Sequence, residues 1–128
     1  MAYRVKEADF KAIAAKALDG LPGKFRRRME NVVVVVEDYP SADDAASAGV
    51  PAQELLGLFH GAARLEHEWS GGPPGRLPER IVLYKRNIEA DCSTKKELVE
   101  EIRLTVLHEV GHYFGLSVED LEKYETDG

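Results

Sequence analysis

Apolar positions along the chain change their period several times, and each change marks an element. Phe10, Ile13, Ala14, Ala17 and Leu18 recur at helical spacing, which predicts an amphipathic helix over residues 8–18, stopped by Gly20 and Pro22. The run "NVVVVVED" drops that period. Its five consecutive valines, stiff at χ1 and suited to a pleated surface, predict a strand buried on both faces. "YPSADDAASAGVPA" is a loop by its Pro, Ser, Asp and Gly content, and "ELLGLFHG" is a short strand weakened by Gly57. "WSGGPPGRLP" predicts a turn-rich surface loop. Alternation returns in "RIVLYKRNI", a strand with Ile81, Leu83 and Lys85 on one face and Val82, Tyr84 and Arg86 on the other.

The longest helix is "STKKELVEEIRLTVLHEVGHYFG". Thr94 with Glu97 three residues later fits a capping box, and Gly115 suits a left-handed C-terminal stop. A helix of about 20 residues is roughly 30 Å long. Val99, Ile102, Val106 and Val110 form its expected core stripe, while Glu101, Leu104, Thr105, His108 and His112 share another side. Helix, strands, long helix and a last short helix make a small α+β domain that takes in residues 1–128 as one unit.

The chemistry sits on that helix. His108 and His112, four residues apart, project in directions about 40° apart, so both imidazoles face the same way. Histidines serving only as core filler would fall within the apolar stripe, and these do not. Two imidazoles one turn apart can bind a tetrahedral zinc at about 2.0–2.1 Å each. Glu109, about 100° round from His108, is placed to act on a water at the metal rather than to ligate beside the histidines. Zinc lowers the pKa of its water towards about 7, and a carboxylate takes the proton as the water attacks a carbonyl. His67 with Glu68 only imitates the pattern, because the residue four after His67 is Gly71; His60 and His67 are expected to be surface histidines.

Composition narrows the setting. A chain of 128 residues with 44% hydrophobic and 31% charged residues is an ordinary globular sequence. Its net charge of −6 argues against nucleic acid as a partner and against a metal-dependent nuclease, and the cluster Lys24, Arg26, Arg27 and Arg28 reads as a solvated helix end. A single cysteine, Cys92, excludes an internal disulfide. The first residues lack an apolar signal core, and the longest aliphatic run, residues 32–36, is far short of a membrane span; a cytoplasmic location is the expectation.

The run H-E-V-G-H-Y-F-G, residues 108–115, resembles the zincin metallopeptidases, and more narrowly the small bacterial minimal zincins. "LDGLPGKFRRRMENVVVVVEDYP", "LLGLFHG" and "LPERIVLYKRNIE" are similar to that family's layout, so the resemblance covers nearly the whole chain. It implies a mixed sheet packed against helices, with zinc as cofactor, a peptide or protein as substrate, and an edge strand that pairs with extended substrate. Ile81, Val82, Leu83 and Tyr84, within the segment 81–86, are the expected edge, ahead of residues 55–59. Longer relatives place a third histidine three residues after the glycine, and many minimal zincins carry an acid there. Here that position is Val118, a departure that puts the third ligand in doubt.

Glu119 and Asp120 come next. Ser117 with Asp120 reads as a capping box for the last helix, and Leu116 with Leu121 as its staple, which leaves Glu119 as the favoured third ligand over Asp120; a site completed by water alone, or left incomplete, is the remaining alternative. The leading function is a zinc-dependent peptidase with Glu109 as base and His108 and His112 as ligands. The alternative is a non-catalytic zinc-binding module for structure or protein interaction, which would call for a site closed by four ligands. Tyr84 and Tyr113 are the candidate oxyanion donors, with Tyr113 expected to be packed instead. So short a chain has little room for a second subdomain to wall the cleft, which leaves that task to a partner or a second copy.

Overall fold

The computed structural model describes residues 2–29, 31–60 and 79–127. His67, Glu68 and the loop expected at residues 69–78 lie outside them. Among the described residues are six α-helices: α1 (Glu7–Asp19), α2 (Gly23–Arg28), α3 (Ala42–Ala48), α4 (Lys85–Ala90), α5 (Lys95–Phe114) and α6 (Val118–Asp127). Three strands, β1 (Val33–Glu37), β2 (Gly57–His60) and β3 (Arg80–Tyr84), form one mixed sheet in the order β1-β3-β2. The fold is α+β, with the histidine motif on the longest helix.

β3 pairs parallel with β1 and antiparallel with β2. Its alternation divides the interior into two layers. Ile81 and Leu83 face α1 and α5, where Phe10, Ala14, Ile102 and Val106 complete the main core. Val82 and Tyr84 face the other way, against Leu55, Val35, Leu58 and Ala48. The strand ends where Lys85 starts α4, and the buried Lys85 ammonium pairs with Glu89 at 2.9 Å. Cys92 is a core residue whose thiol burial pushes up to about 11. Among the described residues no helix is long and apolar enough to cross a membrane.

Four expectations need correction. The valine run is not buried on both faces: β1 pairs with β3 alone among the described strands, and Val33 is 46% exposed. β-Branched residues favour a pleat whether or not a second layer covers it. The segment expected to be a loop at residues 39–52 contains α3, capped by Ser41 Oγ accepting from Asp44 N–H at 3.0 Å and closed by left-handed Gly49. On α5 the buried stripe begins at Leu98, while Val99 is 40% exposed. Finally, Ile81, Val82, Leu83 and Tyr84 are not an edge. They form the central strand, with both sides already hydrogen-bonded, and residues 85–86 have left the sheet for α4.

The ends of α5 follow their caps. Thr94 Oγ1 accepts from Glu97 N–H at 3.1 Å, and the Glu97 carboxylate accepts from Ser93 N–H at 2.7 Å. At the other end Gly115 adopts φ 71° and Leu116 N–H donates to Gly111 O at 2.8 Å, which turns the chain back over the last turn of the helix. Gly111 makes this possible, because a Cβ there would overlap the Leu116 carbonyl oxygen.

In an unhindered helix interior, alanine is better than glycine by about 0.5–1 kcal/mol. Gly111→Ala is expected to reverse that sign and destabilise the fold by about 1–3 kcal/mol through overpacking against backbone, read from urea unfolding. A variant as stable as the parent would show that the turn at Leu116 can give way.

Candidate metal centre

α5 delivers the motif on the side that faces β2. His108 and His112 are exposed, with ring centroids 4.3 Å apart, whereas Glu109 between them is buried. One ligand atom from each of the three lies within 4.8 Å of the others, and Glu109 Oε1 is 3.9 Å from His112 Nδ1. Burial pushes the Glu109 carboxyl above the usual carboxylate range, opposed by His112 and by a hydrogen bond from the Phe59 backbone. Burial, and then the neighbouring His112, lowers His108, which favours the neutral imidazole that a metal requires.

The Phe59 hydrogen bond ties the site to the sheet. Tyr84 N–H donates to Leu56 O at 2.9 Å, so with the β2–β3 register Leu56, Leu58 and His60 bond inward towards β3. Gly57 and Phe59 therefore turn their amides to the outer edge, where Phe59 N–H donates to Glu109 Oε1 at 3.0 Å. The close approach needs Gly57. A Cβ at that position would sit 2.8 Å from Thr105 Cγ2 on α5 and 3.2 Å from Val82 O. The glycine that weakens β2 as a strand is what lets it lie on the motif helix.

A cavity of about 700 Å³ runs along this junction. Its walls are largely apolar, with Val50, Leu56, Leu58 and Leu104 among them, and His108, Glu109 and His112 open onto it. Glu101 lines it too, two helical turns before His108, with its carboxyl raised first by burial and then by Asp91 and Glu100.

The remaining candidates lie as follows. Val118 lines the cavity, while Glu119 is exposed in the first turn of α6 and is not in the three-residue group. Asp120 is engaged in the expected cap: its Oδ2 accepts from Ser117 N–H at 3.2 Å, and its own N–H donates to Ser117 Oγ at 3.1 Å. Tyr84 donates its hydroxyl to Asp44 Oδ2 at 3.1 Å, and Tyr113 stacks on Phe59 with centroids 4.8 Å apart. His60, at the end of β2, is half-buried with Nε2 3.4 Å from Asp44 Oδ2. Sequence reasoning missed the Phe59 amide and the use of Gly57; an isolated glycine in a strand was the available signal of close backbone approach.

A family model described as zincin-like metallopeptidase matches residues 29–127. The chain belongs to this family. The match takes in β1, β2, β3 and the whole of α5, the elements that build the cavity and its histidines. No curated protein matches the chain. The family implies zinc, and the donor set fits it. Two imidazoles on one helix face can approach the roughly 3.3 Å nitrogen separation that tetrahedral Zn–N bonds require. His108 and His112 would hold the ion, with the Glu109 carboxylate beside them.

His108→Ala and His112→Ala are each expected to abolish tight zinc binding in a chelator competition while leaving the circular dichroism spectrum and melting temperature near those of the parent, since both side chains are exposed. Stoichiometric zinc retained by both variants would rule out this site.

Proposed function

We propose that this zincin-like protein is a zinc-dependent peptidase, with Glu109 as general base and His108 and His112 as metal ligands. One observation carries the reading. A carboxylate that is 5% exposed shares a group with two exposed imidazoles and opens onto a cavity large enough for substrate side chains. Bound zinc would supply Lewis acidity, acidifying water and polarising a scissile carbonyl.

The chain's own residues would do the rest. Glu109, raised by burial, is a better proton acceptor than an ordinary surface carboxylate and stands in position to take a proton from attacking water. Its Oε1 is held by the Phe59 amide, which fixes the carboxylate without neutralising it. β2 runs along the cavity and would pair with an extended peptide there, and the apolar wall formed by Val50, Leu56, Leu58 and Leu104 would receive a side chain and exclude water. Substrate pairing thus moves from the expected segment, now central in the sheet, to β2. The non-catalytic alternative calls for a metal closed by four ligands. Two imidazoles facing a cavity support the open, catalytic arrangement instead.

Glu109→Gln preserves an acceptor for Phe59 N–H but cannot take a proton. Zinc content is expected to stay at the parent's level while cleavage of a peptide library falls on the order of 10²-fold or more. Undiminished cleavage in that variant would move the chemistry to another residue, and loss of zinc would make Glu109 a ligand.

A further inference from the structure

We propose that the peptide taken by this site carries a cationic group, a lysine or arginine side chain or a free amino terminus, which Glu101 binds about three residues from the scissile bond. The proposal rests on the peptidase reading above and names the class of its substrate.

Glu101 shares the face of α5 that carries the histidines. It precedes His108 by two helical turns, about 10.5 Å along the axis, and projects within about 20° of the same direction. Leu104, Thr105, His108 and His112 line the cavity from this face, and Glu101 lines it with them. Its direction therefore follows from the helix as well as from the cavity wall.

The main chain of Glu101 is engaged and its carboxylate is not. Thr105 Oγ1 donates to the Glu101 carbonyl at 2.8 Å. The adjacent Glu100 pairs with Arg103 on its own helix. The neighbours one turn from Glu101 are Glu97, Leu98, Leu104 and Thr105, none of them cationic. Among the described residues no lysine or arginine lines the cavity, and Glu101 makes no ion pair. Burial, Asp91 and Glu100 all work against its charge. A half-buried anion with acids for neighbours is relieved by a cation that the ligand brings. Glu54 lines the cavity too, but it is exposed, where water screens its charge.

The two ends of the cavity thus ask for different groups. The scissile carbonyl belongs at the histidines, and the positive group two turns away at Glu101. An extended peptide advances about 3.3 Å per residue, so about three residues span that distance. The apolar wall between the ends suits uncharged side chains at the intervening positions.

The test uses short labelled peptides of alanine and leucine with one lysine, matched peptides with norleucine in its place, and both sets with acetylated and free amino termini. Binding is measured by fluorescence anisotropy on the zinc-free full chain, where no turnover occurs, and kcat/KM on the zinc-loaded chain. A cationic peptide is expected to bind tenfold or more tightly than its uncharged match, about 1.4 kcal/mol, with a similar ratio in kcat/KM. Glu101→Gln is expected to remove the gain, Glu101→Asp to keep part of it, and Glu54→Gln to keep most of it. Melting temperatures and zinc affinities of these variants are expected to stay near the parent's. A gain on lysine in acetylated peptides identifies a side chain as the cation, and a gain on free amino termini alone identifies the terminus; either supports the proposal. Equal binding of charged and uncharged peptides by the parent would overturn it. A gain that persists in folded Glu101→Gln would overturn it as well, by placing the cation elsewhere. Charge-dependent binding through Glu101 without cleavage of any peptide would uphold the cation site and sink the peptidase reading instead.

Discussion

A carboxylate buried between a helix and a sheet edge needs a donor, and the Phe59 amide supplies it to Glu109 at 3.0 Å. Much of the site's geometry follows from that bond. Phe59 N–H must face outward, which fixes the register of β2 on β3, since a one-residue slip would turn the amide inward. Two strand residues advance by about 6.6 Å and four helix residues by about 6 Å. Gly57 can therefore lie over Thr105 while Phe59 reaches Glu109 and stacks on Tyr113. Strand and helix are matched in spacing along the stretch that carries the motif.

The same contact sets the electrostatics. Burial raises the Glu109 carboxyl, and the Phe59 amide and His112 pull it back. Alone, either tendency would spoil a base: full desolvation would keep it protonated, and strong hydrogen bonding would make it a poor acceptor. His108 is moved the other way by the same burial, towards neutrality. One partly dry junction thus acts on the carboxyl and the imidazole together.

What the sequence made legible was local. Thr94, Glu97 and Gly115 marked α5 because caps are read from side chains within a few residues. Ser117 with Asp120 marked α6 in the same way. The helical period placed both histidines off the core. What it could not rank were strands. Five valines look more buried than "RIVLY", yet β1 is partly exposed and β3 central, because pairing order depends on long-range topology rather than composition. α3 was hidden by a loop-like composition, although Ser41, Asp44 and Gly49 were cap signals of the same kind as those that revealed α5.

That missed helix changes the picture of the cleft. Ala48, the last residue of α3, and Val50 just after it line the cavity. α3 is held over the sheet by Asp44, which accepts from the Tyr84 hydroxyl at 3.1 Å and lies 3.4 Å from His60 at the end of β2. The strand with the weakest local signal is therefore gripped from both sides: by Glu109 and Thr105 from the motif helix, and through His60 by α3. Four residues with a glycine at their head would be a marginal strand alone. Here tertiary contacts, rather than propensity, keep the Gly57 edge beside the histidines, and the same contacts bring the apolar wall up to meet it.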